Sequence, residues 1–108
     1  TGGGEAIVEI TVVTGSGSLS EEIVQITNRG GQQIALLGWQ LADADGHIFT
    51  FGPVTLFGDG AAIQLHTEIG LDTPGDLYWG LETPIWASGE LVTLSDAEGN
   101  IQATYQIP

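Results

Sequence analysis

Apolar residues in this chain recur at every second position, in short runs that end at Gly, Asp, Pro or Ser. A period of two is the repeat of a strand with one buried face, whereas a helix repeats every three to four. Residues 5–14 are rich in β-branched side chains and stop at Gly15-Ser16-Gly17-Ser18, a flexible connector. Residues 20–28 alternate, with Glu22, Val24 and Ile26 on one face and Ile23, Gln25 and Thr27 on the other. Asn28-Arg29-Gly30-Gly31 then offers residues that tolerate positive φ, which predicts a tight turn. In residues 33–42, Leu37, Trp39 and Leu41 fall at period two, which puts all three on one face and makes Trp39 the expected core anchor.

Two further turn signals share one form. Asp43-Ala44-Asp45-Gly46 leads into residues 47–51, and Asp96-Ala97-Glu98-Gly99 into residues 100–107, each the expected bend of a hairpin. Phe57-Gly58-Asp59-Gly60 turns the chain into residues 61–67, where Ile63, Leu65 and Thr67 oppose Gln64 and His66. Short strands at spacings of roughly ten residues, with no helical repeat among them, predict an all-β fold: an immunoglobulin-like two-sheet β-sandwich of about seven to nine strands.

Residues 68–90 exceed the roughly 15 residues beyond which loops without regular structure are uncommon and often functional. Pro74, Pro84 and four glycines (Gly70, Gly75, Gly80 and Gly89) argue against regular structure, yet the segment also carries Tyr78, Trp79 and Trp86. A solvated linker would not use such rings. The segment must fold back against the sandwich or present a surface, so these three aromatics are the candidate binding residues, with stacking on sugar rings as the carbohydrate-binding alternative.

The length of 108 residues fits one domain, expected over residues 5–108 after a Gly-rich linker at residues 1–4. Cysteine is absent, which removes disulfides, thiolate nucleophiles and thiolate metal sites. Methionine is absent too, so the chain is expected to be a segment of a longer or processed protein. Nothing resembles a signal peptide or a span of about 20 apolar residues, and no membrane insertion is expected. One basic residue, Arg29, stands against 14 Asp and Glu, for a net charge of −13 and a pI near 4.1. Nucleic acids and anionic lipid are therefore expected to be repelled, because phosphate neutralisation needs Lys and Arg.

Asp43 and Asp45, like Asp96 and Glu98, begin as a calcium loop of the EF-hand type begins. Twelve residues from the first Asp such a loop needs a bidentate Glu and flanking helices, but strand patterns flank both turns. These four acids are weak calcium candidates, no metal site is assigned, and no cofactor is expected. No acid pair is marked out for glycoside hydrolysis; Glu82 alone has aromatic-rich neighbours. His47 and His66 are the only histidines, no Gly-x-Ser-x-Gly elbow occurs, and Thr1 to Gly4 lack the Lys-Ser/Thr of a phosphate loop. No catalytic residue is assigned and no enzyme is expected.

Asp76-Leu77-Tyr78-Trp79, then Trp86, Gly89, Leu91 and Leu94, then Glu98-Gly99-Asn100 running into Ala103, resemble the C-terminal half of the lamin-tail domain. Upstream, residues 23–28, Gly38-Trp39-Gln40-Leu41, Phe49 to Phe51, Thr55-Leu56 and Gly60 follow the order and spacing of that immunoglobulin-like family. The resemblance covers roughly residues 20–108 and favours packing of Trp79 and Trp86 against the sandwich, since family members place tryptophan there. It implies a non-catalytic interaction or spacer module of a larger multidomain protein, with a protein partner or a neighbouring domain of the same chain as ligand and polysaccharide as the alternative. A bacterial member, extracytoplasmic or at the cell surface, is the expected setting. Filament assembly and chromatin contact, known in animal relatives, are not carried over, because the coiled-coil rod and the basic residues are both missing.

Overall fold

The computed structural model describes residues 6–108. The expected linker at residues 1–4 and the start of the first expected strand at Glu5 lie outside the described residues. Ten strands and no helix make up the rest: β1 (Val8–Thr14), β2 (Ile23–Asn28), β3 (Ile34–Ala35), β4 (Gln40–Ala42), β5 (Ile48–Thr50), β6 (Thr55–Leu56), β7 (Ala61–His66), β8 (Asp76–Tyr78), β9 (Leu91–Ser95) and β10 (Ile101–Gln106). They form a sheet of order β1-β2-β7-β8, a second of order β10-β9-β4-β5, and a small β3-β6 pair. One hydrophobic core runs between the two large sheets, with Val24, Ile26, Ile63, Leu65 and Leu77 from one side meeting Leu41, Phe51, Val92 and Leu94 from the other. Trp39 is buried in this core, as expected.

Alternation carries β2, β7 and β9 directly, but β1 needs a correction of phase. Val8 and Ile10 point inward, and strict alternation would then bury Val12. A bulge at Thr11 shifts the register, so Val13 is buried instead. The extra residue is not left unpaired: its hydroxyl donates to the Gln25 carbonyl at 3.1 Å and lies 3.0 Å from the Thr27 hydroxyl. A second bulge, at Gln102, interrupts β10. β1 packs against β10 and closes one side of the sandwich, which leaves β8 and β5 as the facing edges on the other.

Three expectations change. Leu37 does not share a face with Trp39 and Leu41; it is 62% exposed, while Leu36 is fully buried. A turn causes this, since the Trp39 N–H donates back to the Leu36 carbonyl and the Gly38 N–H to the Phe51 carbonyl. At residues 28–31 neither glycine adopts positive φ. The bend is held instead by the buried Asn28 side chain, whose Oδ1 accepts the N–H groups of Ile7 and Gly30 and whose Nδ2 donates to the Gln32 carbonyl. Finally, residues 68–90 are not without regular structure, because β8 lies within them and pairs parallel to β7, with Leu77 opposite Leu65. Counting β8 and the two-residue β3 and β6 raises the strand total to ten.

What holds the rest of that long segment is Glu22, a carboxylate only 1% exposed at the inward position ahead of Val24 and Ile26. Its Oε1 accepts the Ile85 N–H at 3.0 Å, and its Oε2 accepts the N–H groups of Trp86 at 3.1 Å and Gly17 at 2.9 Å. A buried charge is tolerable only when its oxygens are satisfied in this way.

Two stability tests follow from these placements. Leu36→Ala should cost about 2–5 kcal/mol and Leu37→Ala less than about 0.5 kcal/mol in urea unfolding; the reverse order would restore the uninterrupted alternation. Glu22→Gln keeps size but turns an amide N–H towards backbone N–H groups, so it should cost roughly 2–4 kcal/mol while Glu21→Gln, on the exposed side, stays within about 0.5 kcal/mol. Equal midpoints for the two glutamine variants would show that the buried carboxylate does not hold the segment.

Candidate functional site

The three candidate aromatics lie close together but in different surroundings. Trp86 is buried, edge-on to Trp79 at a centroid distance of 6.1 Å, and Trp79 continues to Phe49 of β5 at 5.7 Å. The buried Trp86 Nε1 has no hydrogen-bond partner among the described residues, a cost of about 1–3 kcal/mol that burial of the indole offsets. Tyr78 is half-buried, and His66 stacks on its ring at 4.4 Å with the planes 13° apart. Gly70 passes so close that a Cβ there would come 2.4 Å from Tyr78 Cδ2. Trp79 and Trp86 thus bridge the sheets, and Tyr78 stands on the outer side of β8.

The first acid of each candidate pair is taken up by its own turn. Asp43 Oδ1 accepts the N–H groups of Asp45 and His47, and its Oδ2 lies 2.6 Å from His47 Nδ1. Asp96 repeats the pattern, with Oδ1 accepting from Glu98 and Asn100 and Oδ2 from the Gln102 amide. Gly46 and Gly99 complete both turns at φ of 99° and 89°, which explains the shared Asp-Ala-acid-Gly spelling as a three-residue hairpin loop ending in a left-handed glycine. Oxygens of Asp43, Asp45 and Glu90 come within 4.8 Å of one another, the one such acidic group among the described residues, and Asp96 and Glu98 are not in it. Both Glu90 oxygens are engaged as well, by the N–H groups of Ala44 and Ala87. Glu82 is exposed.

Each histidine meets an aspartate, His47 with Asp43 and His66 with Asp76 at 3.0 Å, but neither ring is hydrogen-bonded to a hydroxyl among the described residues. A nucleophile–base pair needs that contact. Arg29, the single cation apart from the histidines, is paired with Glu9 at 3.1 Å.

An open apolar cleft is a feature that alternation along the chain does not mark. Between the β5 and β8 edges lies a cleft of about 570 Å³, lined by Phe49, Pro53, Val54, Phe57, Pro74 and Leu77 among others, with Asp72 the one charged residue among the described residues that line it. Phe57 is 59% exposed at the rim. The cleft forms because β8 is held on β7 from one sheet while Phe49 and residues 52–57 belong to the other side, so topology rather than local pattern brings its walls together.

Two large sheets packed face to face, with hairpins at their ends and no helix among the described residues, define an immunoglobulin-like β-sandwich. The sequence profile of the Lamin Tail Domain matches residues 4–108, and the chain belongs to that family. No curated protein sequence matches it closely enough to count as a relative.

The two self-bonded turns give a pH test. The Asn100 N–H, chief among the donors to Asp96, holds that carboxyl below its usual value of 3.8, with the Glu98 N–H and the Gln102 amide acting the same way. A lowered folded-state value means the contribution is present above the usual Asp range and is lost as pH falls through the folded value. In an NMR titration the Asp96 midpoint should fall below 3.8, with the Asn100 amide shifting along the same curve. A midpoint at or above 3.8 would show that the turn does not stabilise the carboxylate.

Proposed function

We propose that this lamin tail domain is a non-catalytic interaction module of a larger extracytoplasmic protein, binding a protein partner or a neighbouring domain of the same chain. The observation that carries the reading is the open apolar cleft between the two sheets, whose volume falls within the range of roughly 300–1,000 Å³ typical of ligand sites. Exposed apolar surface of this kind is a cost unless something covers it. Catalysis would require at least two cooperating groups, and the cleft offers one ionisable side chain, Asp72.

Charge narrows the partner. With −13 overall and Arg29 already bound to Glu9, the surface suits a partner carrying excess positive charge and disfavours phosphate backbones. The polysaccharide alternative would use Tyr78 and Trp79, yet one Tyr78 face is covered by His66, and Trp79 contacts Phe49 and Trp86. Stacking on sugars needs a ring face open to solvent, which makes the cleft the better-supported site.

The reading is tested by panning the domain against a phage-displayed random peptide library, alongside affinity electrophoresis in polysaccharide gels and a DNA gel shift at about 150 mM salt. Enrichment of Lys- or Arg-bearing apolar peptides is expected, with affinity falling as salt rises and no retardation by polysaccharide or DNA. Polysaccharide retardation that Trp79→Ala abolishes would replace this reading with the sugar-binding one.

A further inference from the structure

We infer, building on the interaction-module reading above, that the outer edge of β5 and the cleft beside it form one groove that takes an extended basic peptide by strand addition. The hydrogen-bond parity of the β4-β5 hairpin carries the first step. Asp43 donates to the His47 carbonyl and Phe51 to the Trp39 carbonyl, so the odd-numbered residues of β5 face β4. In an antiparallel pair the intervening residues point the other way. Ile48 and Thr50 therefore turn their N–H and C=O groups outward, on the last strand of their sheet.

The other sheet edges are each blunted. β1 and β10 carry bulges at Thr11 and Gln102 and pack against one another. β8 is capped from its own loop, where Thr73 Oγ1 accepts the Asp76 N–H and Asp72 Oδ1 accepts the Tyr78 N–H. β3 and β6 are two residues long. Bulges, caps and a length of two residues protect those edges, whereas β5, three residues long, shows no bulge and, among the described residues, no side-chain cap. An unprotected edge beside a pocket is the arrangement that strand-adding peptide sites use, with main-chain bonds for affinity and the pocket for specificity.

Alternation fixes what the peptide must carry. Along a strand added to β5, every second side chain points to the inter-sheet side, where Phe49, Val54, Phe57 and Leu77 offer an apolar floor for a large hydrophobic residue. Asp72, the one charge lining that floor, faces a Lys or Arg flanking it, within a molecule of net charge −13. The same charge argues against a second copy in the groove, since each copy would bring −13 to the other.

The probe is a short synthetic peptide of alternating Thr and Val with a central Phe flanked by Lys, titrated into the labelled domain by NMR with amide hydrogen exchange. Binding should slow exchange at the Ile48 and Thr50 amides and shift Phe49, Val54 and Phe57. Phe57→Ala, Asp72→Asn (whose amide oxygen can still accept the Tyr78 N–H) and Glu in place of the peptide lysines should each weaken binding by about tenfold or more. N-methylation of the peptide backbone on its bonding side should abolish binding without touching the fold of the domain, and Thr50→Pro removes the matching donor on an edge that tolerates it. Unchanged affinity in these variants, protection at another edge, or self-association through the Ile48 and Thr50 amides overturns the groove. Should library-selected peptides bind while Ile48 and Thr50 keep exchanging freely, the groove fails and the module reading stands; if no peptide or protein binds, both fail.

Discussion

A buried carboxylate with no cation beside it sets the conditions for much of this sandwich. Glu22 sits where alternation demands an apolar residue, and it is stable there because backbone N–H groups from Gly17, Ile85 and Trp86 converge on its two oxygens. The consequence is long-range. Residues 85–86 are sixty-odd positions along the chain from Glu22, yet their placement brings Trp86 under Trp79, and Trp79 against Phe49. Phe49, set by its pairing opposite Leu41 across β4 and β5, in turn lines the cleft, so the indole stack that Glu22 anchors packs behind one of its walls.

The edges show a second constraint, the need to keep a small β protein from pairing with others. Thr11 and Gln102 interrupt the two strands that close one side, and the Asp72 and Thr73 side chains satisfy the outward donors of β8. Protection elsewhere makes the bare edge of β5 informative. Net charge gives a complementary safeguard, because copies at −13 repel one another even where one edge is left open.

Much of the sandwich is legible along the chain because burying one face of a strand leaves a period of two. Val24 and Ile26 on β2, Ile63 and Leu65 on β7, and Val92 and Leu94 on β9 keep that period without interruption. The reading slips where the turn at residues 36–38 resets the phase and exchanges Leu36 for Leu37; along β1, the Thr11 bulge likewise buries Val13 where strict alternation would bury Val12. β8 escapes notice because three residues between glycines, paired parallel to a distant strand, leave too short a pattern to stand out. Glu22 is visible in the sequence as an acid sharing a face with Val24 and Ile26; its N–H partners are not, since they depend on the fold.

The site is less legible than the fold for a related reason. Aromatic residues and acid pairs draw attention locally, but what they do depends on their neighbours. Asp43 and Asp96 spend their oxygens on their own turns, and Trp86 spends its surface on the core. The cleft and the β5 edge are made of residues with no local signature of a site, Ile48, Thr50, Val54 and Phe57, which come together only because strand order puts β5 last in its sheet opposite β8. A binding surface defined by which backbone groups lack partners is a property of topology, and hydrogen-bond parity along an edge reveals it where residue type does not.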